Sequence, residues 1–278
     1  MKRILWALCF VAALNISAAG AGVTELARGE DGLTYDAGSG APYTGTAADY
    51  YEGGGKKADI PFANGKIHGI LKLYHENGNL QGEISYKDGI ADGIVREYYE
   101  SGLLKTETLY RDGLRNGMTK SYYENGKIKS FANFAADKKS GVEKIYDVDG
   151  NLLSETEYAG GLRNGEAKRW SADGTLIEEA NYRNDNYDGV IRRYYRNGKP
   201  ATEVTYKDGK VSGKARQFSE SGEERNPQGK LEGLKDGGKA PELKIHGNIP
   251  DEEKDAPAAS KKKPEKKPVE KKTETKKK

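Results

Sequence analysis

A glycine recurs every 24 residues, at Gly45, Gly69, Gly93, Gly117, Gly141, Gly165, Gly189 and Gly213. No insertion or deletion breaks the step. A second glycine keeps the same step at 54, 78, 102, 126, 150, 174, 198 and 222. An aromatic recurs at Tyr50, Tyr74, Tyr98, Tyr122, Tyr146, Trp170, Tyr194 and Phe218. Another recurs at Phe62, Tyr86, Tyr110, Phe134, Tyr158, Tyr182 and Tyr206. Four registers sharing one period identify a tandem repeat over residues 42–222, in which each unit packs on its neighbours.

Turn chemistry suggests what each unit is. The residue before the second glycine is Asn, Asp or Ser in copies such as Asn77, Ser101 and Asp149. Asn-Gly and Asp-Gly between β-type segments are hairpin signals, because a type I′ turn needs positive φ at both central residues. Each unit reads as one hairpin and one longer return loop, such as Arg111–Asn116. With Ser101 and Gly102 as the turn, Arg96 faces Glu107. The same rule gives Lys72–Glu83, Lys144–Glu155, Lys168–Glu179 and Arg192–Glu203, and fails only at Phe131, opposite Lys120. Opposed charges of opposite sign favour such a register. A G1-bulge hairpin would shift the count by one and break this pairing. The same register sets Tyr110 against Gly93 and Tyr158 against Gly141, where a ring can lie across a glycine that has no Cβ. It also puts the two aromatic series on opposite faces.

The expected fold is therefore all-β: an elongated, single-layer antiparallel meander of eight hairpins, about 16 strands at ~4.8 Å spacing. Composition agrees. Leu, Ile, Val and Phe are too few for a large core, while 36 Gly and 18 Tyr supply turns and strands.

Units such as Tyr206-Lys207-Asp208-Gly209-Lys210-Val211-Ser212-Gly213 and Tyr122-Tyr123-Glu124-Asn125-Gly126-Lys127 resemble the MORN-repeat variant. They are similar to those of the YwqK-type antitoxin family. The resemblance implies a β-hairpin array that acts as an interaction scaffold, with protein partners and, in some members, membrane lipids.

Residues 1–21 read as an export signal. Lys2 and Arg3 precede an apolar run, Ile4–Leu14, and small-residue cleavage sites follow at Ser17-Ala18-Ala19 and Ala19-Gly20-Ala21. The apolar run is too short for a bilayer, which needs about 20 residues. The exported product is expected in the periplasm or secreted. A lead-in covers 22–41, a degenerate repeat 223–249, and a Lys/Glu/Pro-rich tail 250–278. That tail has almost no apolar residue and is expected to be disordered. It carries Lys261, Lys262, Lys263, Lys266, Lys267, Lys271, Lys272, Lys276, Lys277 and Lys278, a candidate tether to an anionic membrane or cell-wall surface.

No catalytic or metal site is expected, and no cofactor. The one cysteine, Cys9, lies in the leader, and only three histidines exist. His68 sits in a turn slot held elsewhere by Asp92 and Asn116, and His75 in a strand slot. Asp147-Val148-Asp149-Gly150 lacks the full ligand set of a calcium loop. Glutamates facing Lys or Arg should stay ionised, which suits structure better than acid catalysis. A non-enzymatic scaffold for protein or envelope contacts is the main reading, and a toxin-neutralising antitoxin or immunity-like protein the alternative. The partner is an unknown protein, and export makes nucleic acid an improper target. Tyr51, Tyr99, Tyr123 and Tyr195 are the candidate binding surface, since Tyr suits such contacts.

Overall fold

The computed structural model describes residues 17–18 and 25–225. No helix occurs among them. One open antiparallel sheet runs in chain order from Gly45–Tyr50 to Lys210–Gln217, each strand pairing with the next. Seven hairpins are complete. The eighth is only begun: after Lys210–Gln217 the chain returns through a single bridge, Phe218 to Glu224. Ser17–Ala18 pair with Ala48 and Ala47 outside the first strand. The remainder of the leader, residues 22–24 of the lead-in, residues 226–249 and the 250–278 tail lie outside the described residues.

The two turns of each unit are the reverse of the sequence expectation. The tight two-residue hairpin turn falls in the stretch read as a return loop. Arg111 pairs with Leu114, and Asp112 and Gly113 between them have φ of 50° and 78°. That is type I′ geometry. Around Gly102 the turn is longer: the Gly102 amide donates to the Tyr99 carbonyl, and the Tyr99 amide to Leu103. Only Gly102 has positive φ there, so Ser101 is not in the left-handed region. This is a type I turn closed by a glycine bulge.

The expected register nevertheless holds. The longer turn leaves Tyr98 opposite Leu104, one residue short of the expected alignment. A bulge between Leu104 and Thr106 then restores it, so that Arg96 faces Glu107. Two one-residue departures cancel, and the side chains keep their faces.

Gly141 does pair with Tyr158, but the ring is not what requires the glycine. A Cβ placed on Gly141 would meet nothing within 4 Å; its φ of 74° is the constraint. At Gly117, with φ of 125°, an added Cβ would lie 2.8 Å from the Leu109 side chain. Of the first glycine series only Gly213 lacks positive φ. From Gly69 onward these glycines sit in strand bulges that follow each type I′ turn.

Alternation puts the two aromatic series on opposite faces. On one face a central row crosses the sheet strand by strand. It runs Ala47, Ile60 and Leu71 at one end, through Thr108, Thr119 and Ala132, to Ile191, Val204 and Ala215 at the other. Both ends are buried, and Leu71 is fully so. Two apolar clusters result, one around Leu71 and one around Tyr206. The lead-in hairpin Leu26–Arg28/Thr34–Asp36 caps the first: Leu26 packs on it, and the Thr34 amide donates to the Gly65 carbonyl.

Candidate functional site

The opposite face carries a ladder of charge. Direct cross-strand partners run Asp59, Lys72, Glu83, Arg96, Glu107, Lys120, Phe131, Lys144, Glu155, Lys168, Glu179, Arg192, Glu203 and Arg216. Sign alternates at every step except at Phe131. The sequence reading paired these residues two by two within hairpins. The structure continues the pairing across the type I′ turns, so each interior charge except Lys120 and Lys144, which flank Phe131, has two neighbours of opposite sign. Arg96 lies 2.8 Å from Glu107 and 3.9 Å from Glu83. Arg192 lies 2.9 Å from Glu203, which also meets Arg216 at 3.0 Å. Lys144 pairs with Glu155. Lys168 turns instead to Glu166 at 3.0 Å. The Glu107 carboxylate raises the affinity of Arg96 for its proton, and Glu203 does the same for Arg192.

The first aromatic series borders this ladder. Tyr74, Tyr98 and Tyr194 donate their hydroxyls to Asp59, Glu83 and Glu179 at 2.9, 3.1 and 2.5 Å. At Tyr146 the slot of the acid is filled by Phe131, and the two rings pack at 6.4 Å instead. On the other face the second series alternates with cations. Arg115 covers Phe134 at 4.1 Å, Lys139 covers Tyr158 at 4.7 Å, and Arg163 covers Tyr182 at 4.2 Å. Tyr187 then replaces the cation and stacks between Tyr182 and Tyr206. Arg115 and Arg163 also grip Asp137 and Asp185, which occupy the second position of type I′ turns that lack glycine. Those hydrogen bonds hold both carboxyls below the usual carboxylate range.

The candidate tyrosines link one repeat to the next. Tyr51, Tyr99, Tyr123 and Tyr195 donate to the carbonyls of Tyr74, Tyr122, Tyr146 and Phe218 at 2.6–2.8 Å. His75 replaces the phenol in the same bond, with Nε2 3.2 Å from the Tyr98 carbonyl. These side chains are half-buried. Asn77, Asn125 and Asn197 add a parallel set of bonds from turn to turn. Sequence reasoning missed this role, although the 24-residue recurrence of Tyr followed by Asn was visible. Asp147 accepts the amides of Asp149 and Asn151 within its own turn. His68 Nδ1 lies 3.2 Å from Asp88. No cluster of three or more His, Cys, Asp or Glu able to hold a metal occurs among the described residues. The ten tail lysines from Lys261 to Lys278 lie outside them.

Each unit is thus a hairpin of 24 residues, closed by Asp-Gly or a stand-in, and several are stitched to the next by Tyr and Asn. Five of these units match the MORN repeat variant. The matched stretches are 67–88, 91–112, 115–135, 163–184 and 187–208. The gap in the match falls where Ala136-Asp137 and Gly160-Gly161 replace the usual turn pairs and Asp147 replaces the stitching Tyr. That gap keeps the register all the same, with Lys144 against Glu155. The backbone scheme of the five matching units thus continues through a stretch that does not match the family. No curated protein matches the chain.

Proposed function

We propose that this chain is a non-enzymatic repeat scaffold of the cell envelope, exported by its leader, which holds a protein partner against one face of its sheet. One observation carries the reading. Apart from Lys120, the charged side chains of the ladder are engaged by neighbouring side chains along an open sheet, which presents broad faces. Opposed charges of this kind select register and contribute ~0.2–1 kcal/mol each. The five MORN-variant matches support a scaffold of this kind. The basic tail adds a loose hold on anionic lipid or wall polymer, since each Lys near such a surface is worth about 1 kcal/mol.

The test is crosslinking and pull-down from the native envelope with the full chain and with a chain stopped at Pro250. A protein captured by both, with envelope attachment lost only in the short chain, is the expected result. A single tight stoichiometric partner would turn the reading towards toxin neutralisation. Recovery of no partner, or an enzymatic activity abolished by one point substitution, would sink it.

A further inference from the structure

We infer that the charged face of strands 69–122 is a docking site for an acidic protein segment that also carries apolar side chains. The inference rests on the scaffold reading and names the surface and the chemistry of what it holds.

Six large apolar residues stand in solvent there: Ile70, Ile90, Ile94, Leu109, Leu114 and Met118, each 40–53% exposed. Alternation sets them on the same face as Arg96 and Glu107. Ile94 and Leu109 are direct cross-strand partners, and Leu109 reaches over Gly117 beside Met118. The fold does not need them. One or more repeats away, the same slots hold Lys138, Glu157, Glu166, Asn181, Lys210 and Lys214, in the same sheet and register. A contiguous exposed apolar patch that the fold can do without marks an interaction site.

Three cations edge the patch. Lys87 pairs across the strand with Ile90, Arg111 with Leu114, and Lys120 follows Met118 by two residues. None of the three makes an ion pair among the described residues, whereas Arg96, Lys144 and Arg192 on the same face all do. Lys120 is left over because Phe131 fills the acid slot of the ladder. The nearby carboxylate of Asp92 accepts the Asp112 amide. The patch therefore presents apolar surface with uncompensated positive charge. A second copy does not suit it: a two-fold interface sets the same patch on itself, cation against cation. Carboxylates from a partner protein do suit it, and such complementarity governs encounter and register.

The probe is a short labelled peptide alternating glutamate and leucine, titrated against the full chain by fluorescence anisotropy. Binding should weaken steeply from low to physiological salt. It should fall about tenfold or more in Arg111→Glu/Lys120→Glu and in Ile94→Lys/Met118→Lys. Glu166→Ala, at the equivalent slot of the polar half, should leave it unchanged. Circular dichroism should show both patch variants folded, since other repeats carry charge in related slots. Equal binding of a lysine–leucine peptide, or no loss in the patch variants, would overturn the proposal. So would patch-dependent binding of phosphatidylglycerol vesicles with no binding of the acidic peptide, which would make this a lipid face. A native partner captured equally well by Ile94→Lys/Met118→Lys would overturn the docking site and leave the scaffold reading standing.

Discussion

The hydroxyl of Tyr99 donates to the backbone carbonyl of Tyr122, 2.6 Å away and 23 residues further along the chain. The bond joins the turn of one repeat to the strand of the next. Because the side chain is half-buried, its loss leaves a carbonyl poorly hydrated. Tyr99→Phe should therefore lower stability by about 1 kcal/mol, read as a shift in the urea midpoint at unchanged m-value. An unchanged midpoint would mean that water takes over the bond at no cost.

The ladder alters what a charge swap does. For an isolated pair, Arg192→Glu with Glu203→Arg should recover part of what Arg192→Glu loses. Here the swap sets a glutamate against Glu179 and an arginine against Arg216. The double swap creates these two like-charge contacts and should therefore remain less stable than the native chain. A neutral cycle isolates the pair: Arg192→Ala, Glu203→Ala and the double variant should show coupling of ~0.2–1 kcal/mol that shrinks with salt. Zero coupling at low salt would count against the pairing.

Gly117 and Gly141 occupy the same place in successive repeats but tolerate a side chain differently. Gly141→Ala meets open space and bears only the left-handed backbone, ~1–2 kcal/mol. Gly117→Ala adds a 2.8 Å approach to Leu109 at a φ of 125°. It should unfold at a lower temperature than Gly141→Ala. The reverse order in thermal melts would show that the bulge relaxes at Gly117.

Alkaline pH should weaken the sheet through its tyrosines. Burial and the Asp59 carboxylate push Tyr74 up to about 12, and burial with Glu179 does the same for Tyr194. Unfolded tyrosine ionises near 10. Between those values the unfolded chain releases protons that the folded chain keeps, so stability is full below about pH 10 and declines towards pH 12. Urea midpoints measured from pH 9 upward should fall, and Tyr194→Phe should flatten the fall. An identical pH profile in that variant would remove Tyr194 from the account.

The 24-residue period, the alternation of faces and the opposed charges were legible in the linear sequence. Each is a local rule repeated often enough to outweigh noise: glycine at the turns, period-two side chains, Lys or Arg eleven residues before Glu. Period and register survive an error in turn type, because the extra residue at the Gly102 turn is cancelled by a bulge beyond Tyr98. Three things depended on tertiary structure. Turn type follows from the twist of the paired strands, which selects type I′ geometry at Asp112-Gly113 and a bulged type I turn at Gly102. The ladder needs every hairpin aligned with the next, so pairs that looked separate along the chain become one row of charges. The Tyr99 bond and the patch around Met118 exist only when residues from different repeats lie side by side. Sequence spacing sets each repeat, and the contacts between repeats decide which side chains remain free to meet a partner.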